Sequence, residues 1–175
     1  PSATLGVSPP LGEAKVRGFE LEATGNVNEN LNLTASYTYA NSKMTKVPDP
    51  LDKNRPLPLP PENQAAAWAD YTWHTGVLDG FGIGFGVRYI GETDNIAIGS
   101  MAFVRDPSDG HSDSYTVYDA AVHYDLGRLD NALKGVSVSV NANNVFDKEY
   151  ISTCDGFYCY YGDRRNVMAS LDYKW

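Results

Sequence analysis

Residues 81–89 read Phe81-Gly82-Ile83-Gly84-Phe85-Gly86-Val87-Arg88-Tyr89, so large apolar side chains alternate with small or charged ones. The same period of two recurs in residues 31–39 and 136–141, and we find no helical period in the chain. Strict alternation puts the apolar side chains of a strand on one face and the polar ones on the other. The sequence therefore predicts an all-β fold whose sheet has one apolar and one polar face.

Seven strands are predicted in this way, and their lengths suit a membrane better than a soluble core. They cover residues 14–24, 31–41, 64–74, 81–91, 115–126, 136–147 and 165–175. A tilted strand needs about 9–11 residues to cross a bilayer, whereas strands of soluble proteins most often have about 5–6 residues. The lengths favour an antiparallel transmembrane β-barrel over a soluble sandwich.

The connections between these strands alternate between short and long. Short turns are predicted at 25–30, 75–80 and 127–135, and long polar loops at 42–63, 92–114 and 148–164. Bacterial outer-membrane barrels have short periplasmic turns and long external loops, whereas a soluble meander has no reason to sort its loops by length. We expect 42–63 and 92–114 to be the most mobile and exposed parts of the chain. The proline-rich run 56–61 should be extended, because repeated proline blocks helix formation.

The alternation also assigns each strand residue to one of two faces. On the lipid-facing side we place Leu33, Ile83, Phe85, Val138, Leu171 and Tyr173. On the lumen-facing side we place Asn32, Ser36, Asp70, Asp119, Ser139, Asn141 and Asp172. Two aromatic girdles are predicted on the lipid face, with Trp73, Phe81, Tyr124 and Trp175 at the periplasmic end and Tyr37, Tyr39, Tyr89 and Phe146 at the outer end. Asn144 falls on the lipid-facing side, which requires it to lie near the outer rim.

Composition narrows the class of protein further. The 175-residue chain has a formal net charge of −8, which disfavours nucleic-acid binding. It has no apolar run close to the roughly 18–20 residues of a membrane helix. Pro1–Pro10 lacks the basic and apolar segments of a signal peptide, so any targeting segment has been removed or lies upstream.

Candidate catalytic groups have a simpler explanation in a polar lumen. Glu20 and Glu22 share one strand face, as do Asp119 and Asp125, and a barrel lumen accounts for both pairs without chemistry. The glycines of 82–86 alternate within a strand with no helix after them, so a phosphate-binding loop is not predicted. We predict that the protein is not an enzyme.

The two cysteines, Cys154 and Cys159, lie close together in a polar, aromatic stretch. Such a pair indicates either a disulfide in an oxidising compartment or half of a metal site. Zinc would need further Cys or His ligands, and His74, His111 and His123 are distant in the sequence with no metal-like spacing. No metal site is predicted.

The last segment, Val167-Met168-Ala169-Ser170-Leu171-Asp172-Tyr173-Lys174-Trp175, alternates and ends on an aromatic residue. It resembles the C-terminal strand by which outer-membrane barrels are recognised by their assembly machinery. A natural C-terminus is therefore expected here.

Three further stretches resemble the TonB-dependent receptors, in order and in spacing, over residues 14–175. Residues 141–150 (NANNVFDKEY) resemble the Asn-Leu-Phe-Asp-x-x-Tyr element before the last loop of the family. Residues 17–22 (RGFELE) resemble its Arg-Gly-x-Glu strand, and residues 162–167 (GDRRNV) resemble its Gly-x-Pro-Arg entry into the final strand, with Arg164 where Pro is commoner. Within the family, residues 67–72 and 114–120 are most similar to the ferrichrome and other hydroxamate-siderophore receptors, which also carry a small disulfide in the last external loop.

The resemblance implies more than the chain contains. Such receptors have a 22-stranded barrel, an N-terminal plug domain inside it and a TonB box, none of which is found in residues 1–175. The chain is expected to be the C-terminal part of the barrel, its last seven strands, in the bacterial outer membrane. Lumen-facing Trp68 could then pack against the plug, which we favour slightly, or against a neighbouring strand.

The function implied is binding and import of a ferric siderophore, of hydroxamate type, with TonB-derived energy. The siderophore's own oxygens wrap the iron, so no cofactor and no protein metal ligand are expected. Expected partners are the siderophore, TonB through the missing N-terminal region, and outer-membrane lipid, with phages or colicins as further candidates at the loops. The alternative is a non-coupled barrel such as a porin or an adhesin.

Four aromatic residues of the last loop are the candidate ligand-binding residues: Phe157, Tyr158, Tyr160 and Tyr161. A disulfide between Cys154 and Cys159 would stiffen this loop before the ligand arrives. Rigid aromatic rings lose little entropy on binding and offer flat faces to an apolar siderophore body. Simple packing within the loop is the other interpretation of these rings.

Overall fold

Seven antiparallel strands form one sheet in the computed structural model, which describes residues 12–47, 50, 53–57, 61–94, 111–154 and 159–175. The strands are β1 (Glu13–Asn26), β2 (Leu31–Lys46), β3 (Asn63–Thr72), β4 (Phe81–Ile90), β7 (Tyr115–Asp125), β8 (Val136–Asn143) and β11 (Asn166–Tyr173). Two small hairpins extend from one end of the sheet, namely β5 (Thr93–Asp94) with β6 (His111–Ser112), and β9 (Ile151–Cys154) with β10 (Cys159–Tyr161).

The sheet order is β1-β2-β3-β4-β7-β8-β11, so each long strand pairs with the next one in the chain. This meander confirms the predicted all-β, antiparallel fold and its seven strands. Short 3-10 turns lie at Gly76–Leu78, Leu126–Arg128 and Asn131–Leu133. No helix in the described ranges is long and apolar enough to cross a membrane.

The loop prediction was wrong at the start of 42–63 and at both ends of 92–114. Strand β2 runs on to Lys46, and Ser42 and Met44 are buried, as are Thr93 and Ser112. In β2 the reason is backbone pairing on both sides of the strand. The start of β1 pairs with residues 42–46, and on the other side the Met44 N–H donates to the Arg55 carbonyl (2.8 Å) and the Asn54 N–H donates to the Met44 carbonyl (3.0 Å). Residues 95–110 and most of the proline-rich run lie outside the described residues.

Strand register confirms the two predicted faces. Asn32, Asp70 and Asn141, which were predicted to face the lumen, lie in one row across the sheet. The row consists of the cross-strand pairs Asn32↔Asp70, Asp70↔Gly84, Gly84↔Ala121 and Ala121↔Asn141. Predicted lipid-facing residues pair with one another or with apolar neighbours on the other face, through the pairs Leu33↔Ala69, Ala69↔Phe85, Ile83↔Val122 and Leu171↔Val138. The outward face is exposed and apolar, with Leu171 70% and Phe85 50% exposed, as expected for a surface covered by lipid.

Aromatic rings meet at both ends of the outward face. At the end with the short turns, Trp73 stacks on Phe81 at 5.8 Å between centroids. At the other end, Phe19 lies 5.7 Å from Tyr39. Phe146 lies beyond β8 and packs edge-on against Tyr118 at 5.3 Å, so it reaches the outer end from a turn and not from a strand.

The lumen-facing glycines of β4 support two large side chains from neighbouring strands. A methyl group at Gly84 would lie 2.3 Å from Trp68 Cζ2, and one at Gly86 would lie 2.4 Å from Trp68 Cε3. Trp68 thus packs against the neighbouring strand, which was one of the two interpretations, and its contact with a plug stays a prediction. In the same way the His123 ring covers Gly82, with its Nε2 at 3.2 Å from Asp70 Oδ2.

Candidate functional site at the outer rim

The turn after β8 begins with a buried asparagine. Asn144 has a φ of 50° and is only 3% exposed. Asparagine tolerates this left-handed backbone better than most residues do. Asn144 lies near the outer rim, as expected, but its side chain is buried and does not face lipid, because the strand ends at Asn143 and a left-handed turn begins there.

The Asn144 side chain holds together the two ends of the last loop. Its Nδ2 donates to the Lys148 carbonyl (2.8 Å) and to the Asp163 carbonyl (3.0 Å), while its Oδ1 accepts from the Lys148 N–H (2.9 Å). Both amide hydrogens and the amide oxygen therefore have partners. Residues 148–163 contain the β9–β10 hairpin, so Asn144 clamps the base of the segment that carries the candidate ligand-binding residues.

An ion pair inside the sheet anchors this clamp. The Asn144 backbone N–H donates to Asp119 Oδ1 (2.9 Å). Arg88 grips the same carboxylate with two bonds, from Nε to Oδ2 (2.6 Å) and from Nη2 to Oδ1 (3.0 Å). Bidentate pairs of this kind fix geometry as well as charge. Strands β4 and β7 are thereby tied to the turn that follows β8.

A second carboxylate fixes the far side of the loop. Asp147, whose φ is 55°, accepts from Arg164 Nε (2.9 Å) and Nη2 (2.8 Å) and from the Arg165 backbone N–H (2.9 Å). Arg164 also donates to Glu149. The Arg164 guanidinium, followed by the Arg165 N–H, holds the pKa of the Asp147 carboxyl well below its usual range. Arg164, which replaces the commoner proline, thus joins the two ends of the loop.

A cavity of about 220 Å³ lies beneath the hairpin, lined by Arg88, Asp119, Asn143, Asn144, Tyr150 and Asp163. The Tyr150 ring stacks on Tyr115 at 4.2 Å between centroids. The Gly162 N–H donates to the Tyr150 carbonyl (2.8 Å), and a methyl group at Gly162 would lie 2.0 Å from Tyr150 Cε2. Glycine is required there because the tyrosine ring occupies the space of a side chain.

The hairpin above the clamp carries two of the four candidate binding residues. Tyr160 stands opposite Thr153 and Tyr161 opposite Ile151, and the two tyrosines are 53% and 75% exposed. The Ser152 hydroxyl donates to the Tyr160 carbonyl (3.0 Å), which braces the hairpin. Phe157 and Tyr158 lie outside the described residues.

The backbone register places Cys159 opposite Cys154. The described part of the chain has no free cysteine, which is compatible with the disulfide, and the Cys154–Cys159 bridge stays a prediction. It also contains no group of three or more His, Cys, Asp or Glu side chains that could hold a metal ion.

Sequence reasoning missed the clamp, although its parts were visible. Arg88 was treated as an ordinary strand residue, Asp119 as a generic lumen residue, and Asn144 as an exception on the lipid face. The usable signal was the Asn144-x-x-Asp147 spacing, because both residue types favour left-handed turns and accept backbone hydrogen bonds. This network fixes both ends of the last loop relative to the sheet.

We compared the chain with known protein families, curated proteins and solved structures. Residues 3–145 match the family described as TonB dependent receptor-like, beta-barrel. The chain is 36% identical over 165 residues to the ferrioxamine receptor of Yersinia enterocolitica, an alignment that covers 94% of this chain and 21% of that receptor. It is also 36% identical over 165 residues to the ferrichrome outer membrane transporter/phage receptor of Escherichia coli strain K12, covering 93% of this chain and 20% of that protein.

Among solved structures, the siderophore receptor PiuA from Acinetobacter baumannii superposes with a TM-score of 0.73 at 25% identity, covering 94% of this chain and 22% of that one. The chain thus spans about a fifth of the length of the curated relatives it matches.

Proposed function

The chain belongs to the family of TonB-dependent receptor β-barrels, which are outer-membrane proteins, and on that premise we propose that it forms the last seven strands of a ferric-siderophore receptor. The receptor imports its ligand with TonB-derived energy and does not act as an enzyme. The observation that carries the proposal is the clamped β9–β10 hairpin, on which Tyr160 and Tyr161 are exposed.

The sheet itself supports a larger barrel. Strands β1 and β11 lie at the two edges of the sheet, and each has one side without a strand partner in the described residues. Unpaired strand edges are not viable in lipid, where backbone groups find no water to bond. We propose that the remaining strands, a plug domain and a TonB box lie in the part of the protein beyond these 175 residues.

A hydroxamate siderophore is the proposed ligand class. Two relatives at 36% identity are named for ferrioxamine and ferrichrome, which are both hydroxamates. The proposed contacts are between the aromatic rings of the hairpin and the organic body of the siderophore. The ligand's own oxygens enclose the iron, so the protein supplies neither a cofactor nor an iron ligand.

The test uses the full-length receptor and two probes, ferrioxamine B and ferrichrome, with a ferric catecholate as the contrasting ligand. We expect hydroxamate binding that is weakened in two double variants, Tyr160→Ala/Tyr161→Ala and Phe157→Ala/Tyr158→Ala, while both variants still insert as folded barrels. Iron uptake should vanish in cells without TonB. TonB-independent uptake would favour the porin alternative, and unchanged affinity in both variants would assign the four rings to loop packing.

The exposed β9–β10 hairpin is also proposed as an attachment surface for a phage or a colicin. The support is that one relative is named as a phage receptor as well as a ferrichrome transporter. Phage adsorption to cells that carry the same two double variants tests this proposal separately from siderophore binding.

A further inference from the structure

A cavity of about 340 Å³ lies between the bases of the two small hairpins. Residues 113–115, which lead from β6 into β7, line one side, and residues 148–151, which lead into β9, line the other. Small-molecule pockets have volumes of about 300–1,000 Å³. This cavity is at the lower end of that range, so it has room for one arm of a ligand and not for a whole iron–siderophore chelate.

Two stacked tyrosine rings form the aromatic part of the cavity wall. The centroids of Tyr115 and Tyr150 lie 4.2 Å apart, with an interplanar angle of 30°. Both residues are half-buried, and Ile151 adds aliphatic surface beside them. Aromatic rings bury a large apolar area, so this wall suits a hydrocarbon chain.

The polar part of the wall carries charges that the described structure leaves unpaired. The Asp113 carboxylate and the Lys148 ammonium form no hydrogen bond or ion pair with a described residue. Glu149, the remaining charged residue of the lining, contacts Arg164, whose guanidinium also donates two bonds to Asp147. The lining therefore holds two carboxylates and one ammonium, and Asp113 is the carboxylate without a described partner.

The wall formed by residues 148–151 is held in place before a ligand arrives. Asn144 bonds both the N–H and the carbonyl of Lys148, and the Gly162 N–H donates to the Tyr150 carbonyl (2.8 Å). A preformed wall loses little conformational entropy on binding. The clamp at the base of the last loop thus also shapes this cavity.

We propose that the cavity binds a siderophore arm that ends in a primary ammonium group, and so selects cationic hydroxamates of the ferrioxamine B type over neutral ones such as ferrichrome. The Asp113 carboxylate accepts from the ammonium, and the methylene chain of the arm lies along Tyr115 and Tyr150. Lys148 donates to the electron-rich oxygens that surround the iron. The inference rests on the proposed function, because it names the ligand of the same receptor, and relatives are named for both ferrioxamine and ferrichrome.

The test measures the affinity of the full-length receptor for ferrioxamine B, for its N-acetylated derivative and for ferrichrome. Acetylation removes the ammonium charge and leaves the iron chelate as it is. The variant is Asp113→Asn, and its matched control is Glu29→Gln, which neutralises an exposed carboxylate in a short turn at the opposite end of the sheet. Asp113→Glu keeps the charge, and heat-dependent mobility on denaturing gels checks that each barrel is folded.

We expect the unmodified receptor to bind ferrioxamine B about tenfold more tightly than the acetylated form, because one hydrogen bond between charged groups is lost. Asp113→Asn should abolish this preference without changing the affinity for ferrichrome, whereas Asp113→Glu and Glu29→Gln should keep it. Lys148→Gln should weaken the binding of ferrioxamine B and of its acetylated form by the same factor, since the chelate oxygens are common to both.

Equal affinity of the unmodified receptor for ferrioxamine B and its acetylated form would overturn the proposal. A preference that survives in Asp113→Asn, or that is lost equally in Glu29→Gln, would overturn it as well. In these cases the hydroxamates still bind and the proposed function stands. If none of the three hydroxamates binds, the proposed function fails together with this inference.

Discussion

Replacing Asn144 by Ala removes the three side-chain hydrogen bonds that close the base of the last loop. The change leaves the Lys148 and Asp163 carbonyls and the Lys148 N–H without their partners. An unsatisfied buried polar group costs about 1–3 kcal/mol, and Ala in a left-handed conformation costs about 1–2 kcal/mol. Because Lys148 and Asp163 are themselves exposed, water restores part of this loss, and we expect a net cost of about 2–3 kcal/mol.

This cost falls on the loop and not on the barrel, whose ladder hydrogen bonds are untouched. Amide hydrogen exchange of residues 148–163 in the full-length receptor measures it directly. At about 1.4 kcal/mol per tenfold change, exchange in this segment should accelerate roughly 30- to 150-fold. Heat-dependent gel mobility of the barrel should stay as in the unmodified protein.

Three comparison variants separate the effect of the lost hydrogen bonds from the effect of the left-handed backbone at residue 144. Asn144→Gly loses the same side-chain hydrogen bonds but avoids the cost of a left-handed alanine. The amides of residues 148–163 should therefore exchange more slowly in Asn144→Gly than in Asn144→Ala. Asn144→Asp keeps an acceptor for the Lys148 N–H but loses both donors. Asn143→Ala changes the neighbouring residue at the end of β8 and should have little effect. Equal exchange rates in Asn144→Ala and the unmodified receptor would refute the clamp.

Three other predictions test the sheet and the rim. Phe85→Arg, on the outward face, should destabilise the barrel by about 2–4 kcal/mol in equilibrium unfolding, and Asn141→Arg on the lumen face much less; equal costs would contradict the assigned faces. Gly86→Ala should cost about 1–3 kcal/mol because its methyl meets the Trp68 ring, and adding Trp68→Ala should remove that clash; a purely additive double variant would disprove it. The lowered pKa of Asp147 means that its contribution to stability is present above the unfolded value of about 3.9 and is lost as pH falls below it toward the lower folded value. Protection factors of the rim amides, which are corrected for the pH dependence of intrinsic exchange, should therefore hold at pH 4 and fall below it, and Asp147→Asn should abolish that fall.

Much of the sheet could be predicted because a barrel strand repeats a simple pattern. A period of two sets the face of each residue, and the long and short connections set the strand order. Prediction was less accurate where the chain leaves that pattern. The extension of β2 to Lys46 depends on pairing with the start of β1, through Lys15↔Lys43 and Glu13↔Lys46, and on backbone bonds from Met44 to Asn54 and Arg55, which no local alternation reveals.

The site was predictable only in part for the same reason. Tyr160 and Tyr161 could be predicted as candidates because aromatic residues in a polar loop are conspicuous in a sequence; the structure leaves both exposed, and their contact with a ligand stays a prediction. The clamp joins Arg88, Asp119 and Asn144, which are far apart in the chain, and only the strand register brings them together. The alternation of apolar and polar residues assigned Asn144 to the wrong face, because the left-handed backbone of Asn144 ends the strand and its alternation.

The contrast between the sheet and its rim follows from their surroundings. Within the bilayer the outward face is stabilised by lipid, so the sheet needs few buried apolar side chains, and Met44, Val117 and Ala121 are the buried apolar residues among those described. At the rim neither lipid nor a core can fix a 16-residue loop between Lys148 and Asp163. Directional bonds must do so, and the rim accordingly concentrates bidentate arginine–carboxylate pairs and a buried amide.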